Sequence, residues 1–220
     1  MEDTEPETKD GPAKMIHAVK ELLENMKSTS GCRFNAAKRL EAREQALTRL
    51  TALTSAYVVG LTVLPYFLHL PAETTDRLNL ITVFFAIVIL VSSLLQYSTR
   101  DGVNAEQHHR CALEIAQARR ELKLDGPNAD SKLAREYTER YNRILEKYSI
   151  NHDGIDYCQY QVDRPEDFPW IKKAGWLWIY AKLFAAKQSI NIALLLVTML
   201  LMFVLIRVGV FTGSLFSLPR

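Results

Sequence analysis

The sequence predicts an all-α membrane protein: a transmembrane helical hairpin plus a C-terminal third span, with a cytoplasmic helical domain. Three observations predict it. Residues 50–72, 78–99 and 188–206 carry no charged side chain. A helix rises about 1.5 Å per residue and a bilayer core is about 30 Å thick, so roughly 20 residues suffice to cross it. The polar segments between these blocks place apolar residues at three- and four-residue steps, the spacing of amphipathic helices. Lys and Arg are also unevenly spread, with nine in residues 1–52, one in 71–77, fifteen in 98–189 and two from Arg207 onward. By the positive-inside rule the long segments are cytoplasmic, and the 71–77 link and the C-terminus lie outside.

The chain is read in four parts: 1–30, an acidic tail and short amphipathic helix; 31–99, a basic juxtamembrane helix and the hairpin; 100–187, a cytoplasmic helical region with an interfacial aromatic segment; and 188–220, the third span and an external tail. In the first part, Ile16, Val19, Leu22, Leu23 and Met26 have helical spacing, and Ser28-Thr-Ser-Gly31 is expected to break that helix. Asn35 then opens a second helix that runs into the first span. Arg39 and Arg43 share one face of it, either as a solvated basic stripe or as a ligand site. Pro65 is expected to kink the first span. This span lies behind about fifty mostly polar residues and an acidic N-terminus, which does not suit a cleaved signal peptide.

Past Arg100, helices are expected over roughly 103–124 and 131–148, joined by the turn Asp125-Gly-Pro-Asn128. The second carries Leu133, Tyr137, Tyr141, Ile144, Leu145 and Tyr148 along one stripe. That stripe must pack on the other hairpin helix, on the helix ahead of the first span, or on another subunit. Asn151, His152, Asp153 and Asp156, with Tyr157 beside them, form the one dense polar cluster. It fits a turn whose Asn and Asp side chains bond backbone groups, and fits a metal site less well. Residues 164–170 read as irregular. Trp170, Trp176, Trp178 and Tyr180 with Lys172, Lys173 and Lys182 read as a helix lying at the inner leaflet.

The composition also excludes functions. Twenty-seven basic against twenty-five acidic residues leave a net charge of +2, unlike a nucleic-acid binder. No phosphate-binding loop, nucleophile elbow or zinc-protease motif is present, so no catalytic residue, cofactor or metal is assigned. The adjacent His108 and His109 read as surface residues. Cys32, Cys111 and Cys158 read as reduced thiols. Weakly polar stripes run along the spans, with Thr51, Ser55 and Thr62 on the first and Thr82, Ser93 and Gln96 on the second. They either face neighbouring spans or line a water-filled path in an oligomer.

The basic helix Asn35-Ala-Ala-Lys-Arg-Leu-Glu-Ala-Arg43, a first span beginning Leu53-Thr-Ser-Ala-Tyr57, the segment Tyr141-Asn-Arg-Ile-Leu145 and the pairs Asn151-His152 and Asp156-Tyr157 resemble the SLATT family of two-transmembrane effector domains. The likeness covers roughly residues 30–200, and the third span departs from the two-span description. It implies a bacterial antiviral effector at the inner membrane. Such a protein acts as a homo-oligomer that forms a pore or disrupts the bilayer, causing abortive infection. A sensor or trigger from the same operon is expected as partner: a nucleotide-signalling enzyme or a reverse transcriptase. In this reading Arg39, Arg43, Asn151, His152, Asp156 and Tyr157 are regulatory candidates on the cytoplasmic side. The alternative is a membrane-anchored scaffold or adaptor that recruits a soluble partner through its cytoplasmic helices.

Overall fold

A computed structural model describes residues 10–125 and 131–207. Among them the chain is helical with short irregular connections, in the order α1 (Asp10–Leu68), α2 (Ala72–Thr99), α3 (Asp101–Asp125), α4 (Ser131–Tyr148), α5 (Gly154–Asp163), a 3-10 turn (Pro165–Asp167) and α6 (Lys173–Arg207). The all-α class is as the sequence predicts. Residues 1–9, most of the 125–128 turn and the tail past Arg207 lie outside the described residues.

The expected break at residues 28–31 does not occur, because α1 continues through it. Each would-be breaker is satisfied inside the helix. Ser28 and Ser30 donate their hydroxyl protons to the carbonyls of Asn25 and Lys27, at 3.1 and 3.2 Å. Thr29 shares a 2.8 Å hydrogen bond with the Tyr141 hydroxyl. Gly31 serves close packing, since a Cβ there would lie 2.5 Å from Cδ2 of Tyr160. Pro65 sits inside the end of α1. The chain then leaves the helix through His69 in the left-handed region, and Arg100 and Ser149 end α2 and α4 the same way.

The described residues divide into two compact units, Met1–Leu40 with Gly102–Leu183, and Glu41–Asp101 with Phe184–Arg220. In the first unit the stripe of α4 finds its partner within the chain. Val19, Leu22 and Met26 of α1, Cys111, Ile115, Ala118 and Leu122 of α3, and Tyr137 and Ile144 of α4 form one core. Each fully buried large aliphatic side chain contributes about 1.5–3 kcal/mol. The α3–α4 pair is also tied by polar contacts. Tyr137 donates to Asp125 at 2.8 Å, Tyr148 donates to Glu114 at 2.6 Å, and Arg140 pairs with Glu121. A second cluster joins Cys32 to Tyr160 and Phe168, with Ile171 and Trp176 packed against it.

In the second unit Leu61, Leu78 and Phe85 form a small core between α1 and α2. Many other large apolar side chains there are exposed, among them Phe67, Leu80, Val83, Ile87, Leu90 and Leu94. The helical stretches Ile16–Leu68 and Ala72–Asp125 each contain a segment long and apolar enough to cross a bilayer. The expected third span falls in α6, whose side chains are only partly among the described residues. The aromatic segment read as a helix at the inner leaflet is helical from Lys173 and continuous with the rest of α6, which contains Trp176, Trp178 and Tyr180.

Along α1, buried residues recur at every seventh position: Val19, Met26, Arg33, Leu40, Leu47, Thr54 and Leu61. Two of these seven are polar. Thr54 satisfies its hydroxyl on the Leu50 carbonyl at 2.7 Å, whereas Arg33 carries a charge into the interior.

Candidate functional site

The densest polar arrangement lies where α1 meets the start of α5. Asp153 caps α5, and with Asp156 it forms a capping box around the first turn. The Asp153 N–H donates to Asp156 Oδ2 at 2.9 Å. Of the residues expected in a turn, Asn151 and His152 precede the helix, Asp153 caps it and Asp156 lies in its first turn, and the Asn151 and Asp156 side chains accept from backbone N–H groups. Arg39 then clasps both carboxylates. Its Nε donates to Asp156 Oδ1 at 2.8 Å, and its Nη2 donates to Asp156 Oδ2 at 3.0 Å and Asp153 Oδ2 at 2.7 Å. The Asp156 side chain is 1 % exposed, so this is a desolvated, bidentate ion pair. The hydrogen bonds to Asp156 raise the Arg39 pKa above its ordinary value, although burial opposes them. Arg39 is thus not part of a merely solvated stripe. Asn35 adds a bond from its amide to the Asp156 carbonyl at 3.4 Å.

Arg43, by contrast, belongs to the other unit. Its Nε stands 3.4 Å from the buried carboxylate of Asp101, in the first turn of α3. Asn151 is exposed and accepts the His152 backbone N–H at 3.0 Å. Tyr157 stacks on Tyr160, with ring centroids 6.3 Å apart, and meets the edge of Phe168. His152 is half-buried, and its Nδ1 has no hydrogen-bond partner among the described residues. Burial, and then the Arg33 charge, lower the His152 pKa, while Asp156 and Asp153 pull it up.

Two members of this neighbourhood were not singled out by sequence reasoning. His108, expected on the surface, is 5 % exposed. Burial and the Arg33 charge lower its pKa, as for His152. Its neighbour His109 does face outward and packs edge-on against Phe34 at 5.6 Å. Arg33 is buried as well, with Nε and Nη1 unpaired among the described residues. Its position seven residues from both Met26 and Leu40 was the available signal. The same unit holds a further ion pair, Lys27 to Asp167 at 2.7 Å, which fastens the 3-10 turn to α1.

The three cysteines are free thiols, and burial pushes Cys32 up to about 12, so it stays protonated and inert. Among the described residues no group of three or more His, Cys, Asp or Glu is placed to hold a metal ion. Of the span residues, Gln96 donates to Thr51 Oγ1 at 3.1 Å, linking α2 to α1. Ser55, Thr62 and Thr82 return their hydroxyls to carbonyls of their own helices, at 2.8, 2.8 and 2.9 Å. Ser93 is exposed on α2. Tyr57 shares a 3.3 Å hydrogen bond with Thr198 of α6.

A charged helical unit fastened by an Arg–carboxylate clasp and an apolar α1–α2 hairpin, whose helices are long and apolar enough to cross a bilayer, suit a two-span membrane protein. The chain belongs to the SMODS and SLOG-associating 2TM effector domain family 5, whose model matches residues 15–209. The match is wider than the likeness read from the sequence motifs. By its name the family is one of effector domains that associate with SMODS and SLOG partners in defence systems, and it is not a known catalytic family. No curated protein matches the chain, and no solved structure does.

Proposed function

We propose that this protein is an oligomeric effector of a bacterial antiviral system that permeabilises the inner membrane when a partner sensor triggers it. The observation that carries the reading is the exposed apolar surface of the α1–α2 hairpin, where Phe67, Leu80, Val83, Leu90 and Leu94 stand uncovered. Only lipid or sister subunits offer such a surface a favourable environment. The family's association with SMODS and SLOG supports a separate sensor as trigger. The distribution of Lys and Arg supports a cytoplasmic N-terminus, with α6 crossing as a third span and the C-terminus outside.

In the assembled state, Thr51, Ser55, Thr62, Thr82, Ser93 and Gln96 line the water-filled path. Exposed Ser93 is the residue among them freest to do so. Arg39, Asn151, His152, Asp156 and Tyr157 of the first unit, and separately Arg43 of the second, are the cytoplasmic residues through which the trigger acts. No catalytic step and no cofactor is needed for this activity.

The test is to co-express the protein with its operon partner and follow membrane potential with a voltage-sensitive dye during phage challenge. Depolarisation before lysis is expected, and Ser93→Leu should reduce it at equal membrane abundance. Cells that keep their potential and ion gradients while remaining protected would sink the pore reading. Partner capture with unchanged conductance would favour the scaffold.

A further inference from the structure

Arg33 poses a problem of charge. Its side chain lies in the interior of the first unit, and two of its guanidinium nitrogens have no acceptor among the described residues. An unpaired interior charge carries a large desolvation cost even after relaxation. The nearby carboxylates do not relieve it, because Asp156 and Asp153 are committed to Arg39 at 2.7–3.0 Å. Three further groups feel the Arg33 charge: His108 on α3, His152 ahead of α5, and Cys111 on α3. His152 also lowers the His108 pKa, and each leaves a buried Nδ1 without a hydrogen-bond partner among the described residues. The Phe34–His109 ring contact and the Arg39–Asp153 ion pair hold α1, α3 and the start of α5 side by side here, so one guanidinium and two imidazoles share a neighbourhood in which Arg33 Nε and Nη1 find no acceptor among the described residues. What the cluster lacks is negative charge carrying several acceptor lone pairs.

A tetrahedral oxyanion supplies both. One of its oxygens suits an unpaired guanidinium nitrogen, Nε or Nη1. The others suit imidazole N–H groups, which become donors as the anion favours their protonated forms. We propose that Arg33, His108 and His152 form an interior anion site that takes one phosphate group, borne either by a soluble phosphate compound or by a phospholipid headgroup. The site goes beyond the pore reading and does not rest on it, since binding is measured without conductance.

The test uses the full-length protein in a neutral detergent, with ionic strength held constant by chloride. Inorganic phosphate is titrated while thermal unfolding is followed. The wild type should show a saturable rise in Tm of several degrees, since a ligand that binds only the folded state stabilises it. Arg33→Met should show no rise. It should also be at least as stable as the wild type in phosphate-free buffer, because Met removes the unpaired charge while filling similar space. A parallel arm places the protein in phosphatidylcholine vesicles with and without phosphatidic acid. A rise with inorganic phosphate assigns a soluble source, and a rise confined to phosphatidic acid assigns the headgroup. Equal responses in wild type and Arg33→Met, or no response to either probe, would overturn the site. Should Arg33→Met not fold, His152→Asn replaces it. A phosphate affinity weakened about tenfold supports the proposal, and an unchanged affinity overturns it.

Discussion

Arg39 holds Asp156 with two nitrogens, Nε 2.8 Å from Oδ1 and Nη2 3.0 Å from Oδ2, and α1 and α5 meet through this pair. Arg39→Ala leaves a carboxylate that is 1 % exposed without its partner. The expected loss is about 3–5 kcal/mol, because breaking a buried pair costs far more than the pair contributes. Arg39→Lys should recover only part of it, since an ammonium cannot match both oxygens in one plane. Chemical denaturation of the purified protein measures both. A loss in Arg39→Ala no larger than that of an exposed ion pair would contradict the clasp.

Acidification should destabilise the first unit. His108 and His152 both have pKa values lowered from 6.5, chiefly by burial and then by the Arg33 charge. Unfolding frees them, so the unfolded chain binds protons more readily than the folded one. Their contribution is present above pH 6.5 and is lost as pH falls from there through the folded values. Melting temperature in phosphate-free buffer should therefore drop between pH 7.5 and 5.5, on the order of the imidazole range and above that of carboxylates. His108→Gln should flatten the profile, whereas His109→Gln, an exposed neighbour, should not.

Gly31→Ala should destabilise although alanine is the better helix former by about 1 kcal/mol. The new methyl would meet the ring of buried Tyr160 at 2.5 Å. Overpacking of that kind costs about 1–3 kcal/mol. Gly60→Ala is the matched control, because nothing lies within 4 Å of a Cβ there. A melting temperature that falls for residue 31 and holds for residue 60 is the expected result.

The Gln96–Thr51 hydrogen bond ties α2 to α1 across 3.1 Å. A double-mutant cycle with Gln96→Leu and Thr51→Val should return a coupling of about 0.6 kcal/mol, with about 1.7 as a ceiling for such bonds in lipid. Additive effects would show that the bond contributes nothing to hairpin stability.

What could be read from the sequence was periodic. The stripe of α4 was legible from Tyr137 and Ile144, and both enter the core. The apolar hairpin was legible from its uncharged length. The continuity of α1 was not, because Ser28-Thr-Ser-Gly31 has the composition of a turn. Only the tertiary partners Tyr141 and Tyr160 turn it into a packed helix segment. The clasp was half legible. Arg39, Asp153 and Asp156 each stood out locally, but Arg39 is more than a hundred residues from the two aspartates, and local spacing carries no information about such pairs. His108 was missed because two adjacent histidines look alike in sequence, while on a helix they point about 100° apart, which buries one and exposes the other.

The seventh-residue recurrence along α1 has a consequence for its register. A surface that repeats every seven residues can slide by one repeat and still offer its neighbours an apolar seam. Arg33 removes that freedom. Slipped by one repeat, its guanidinium would take the place of Met26, in the core lined by Ile115, Leu122 and Ile144. The residues lining that core are hydrophobic, whereas the native place of Arg33 lies within electrostatic reach of the polar side chains His108 and His152, so the slipped register leaves the charge in poorer surroundings. The one charged residue among the seven buried repeat positions thus acts as an index mark that permits a single alignment of α1 on α3 and α4.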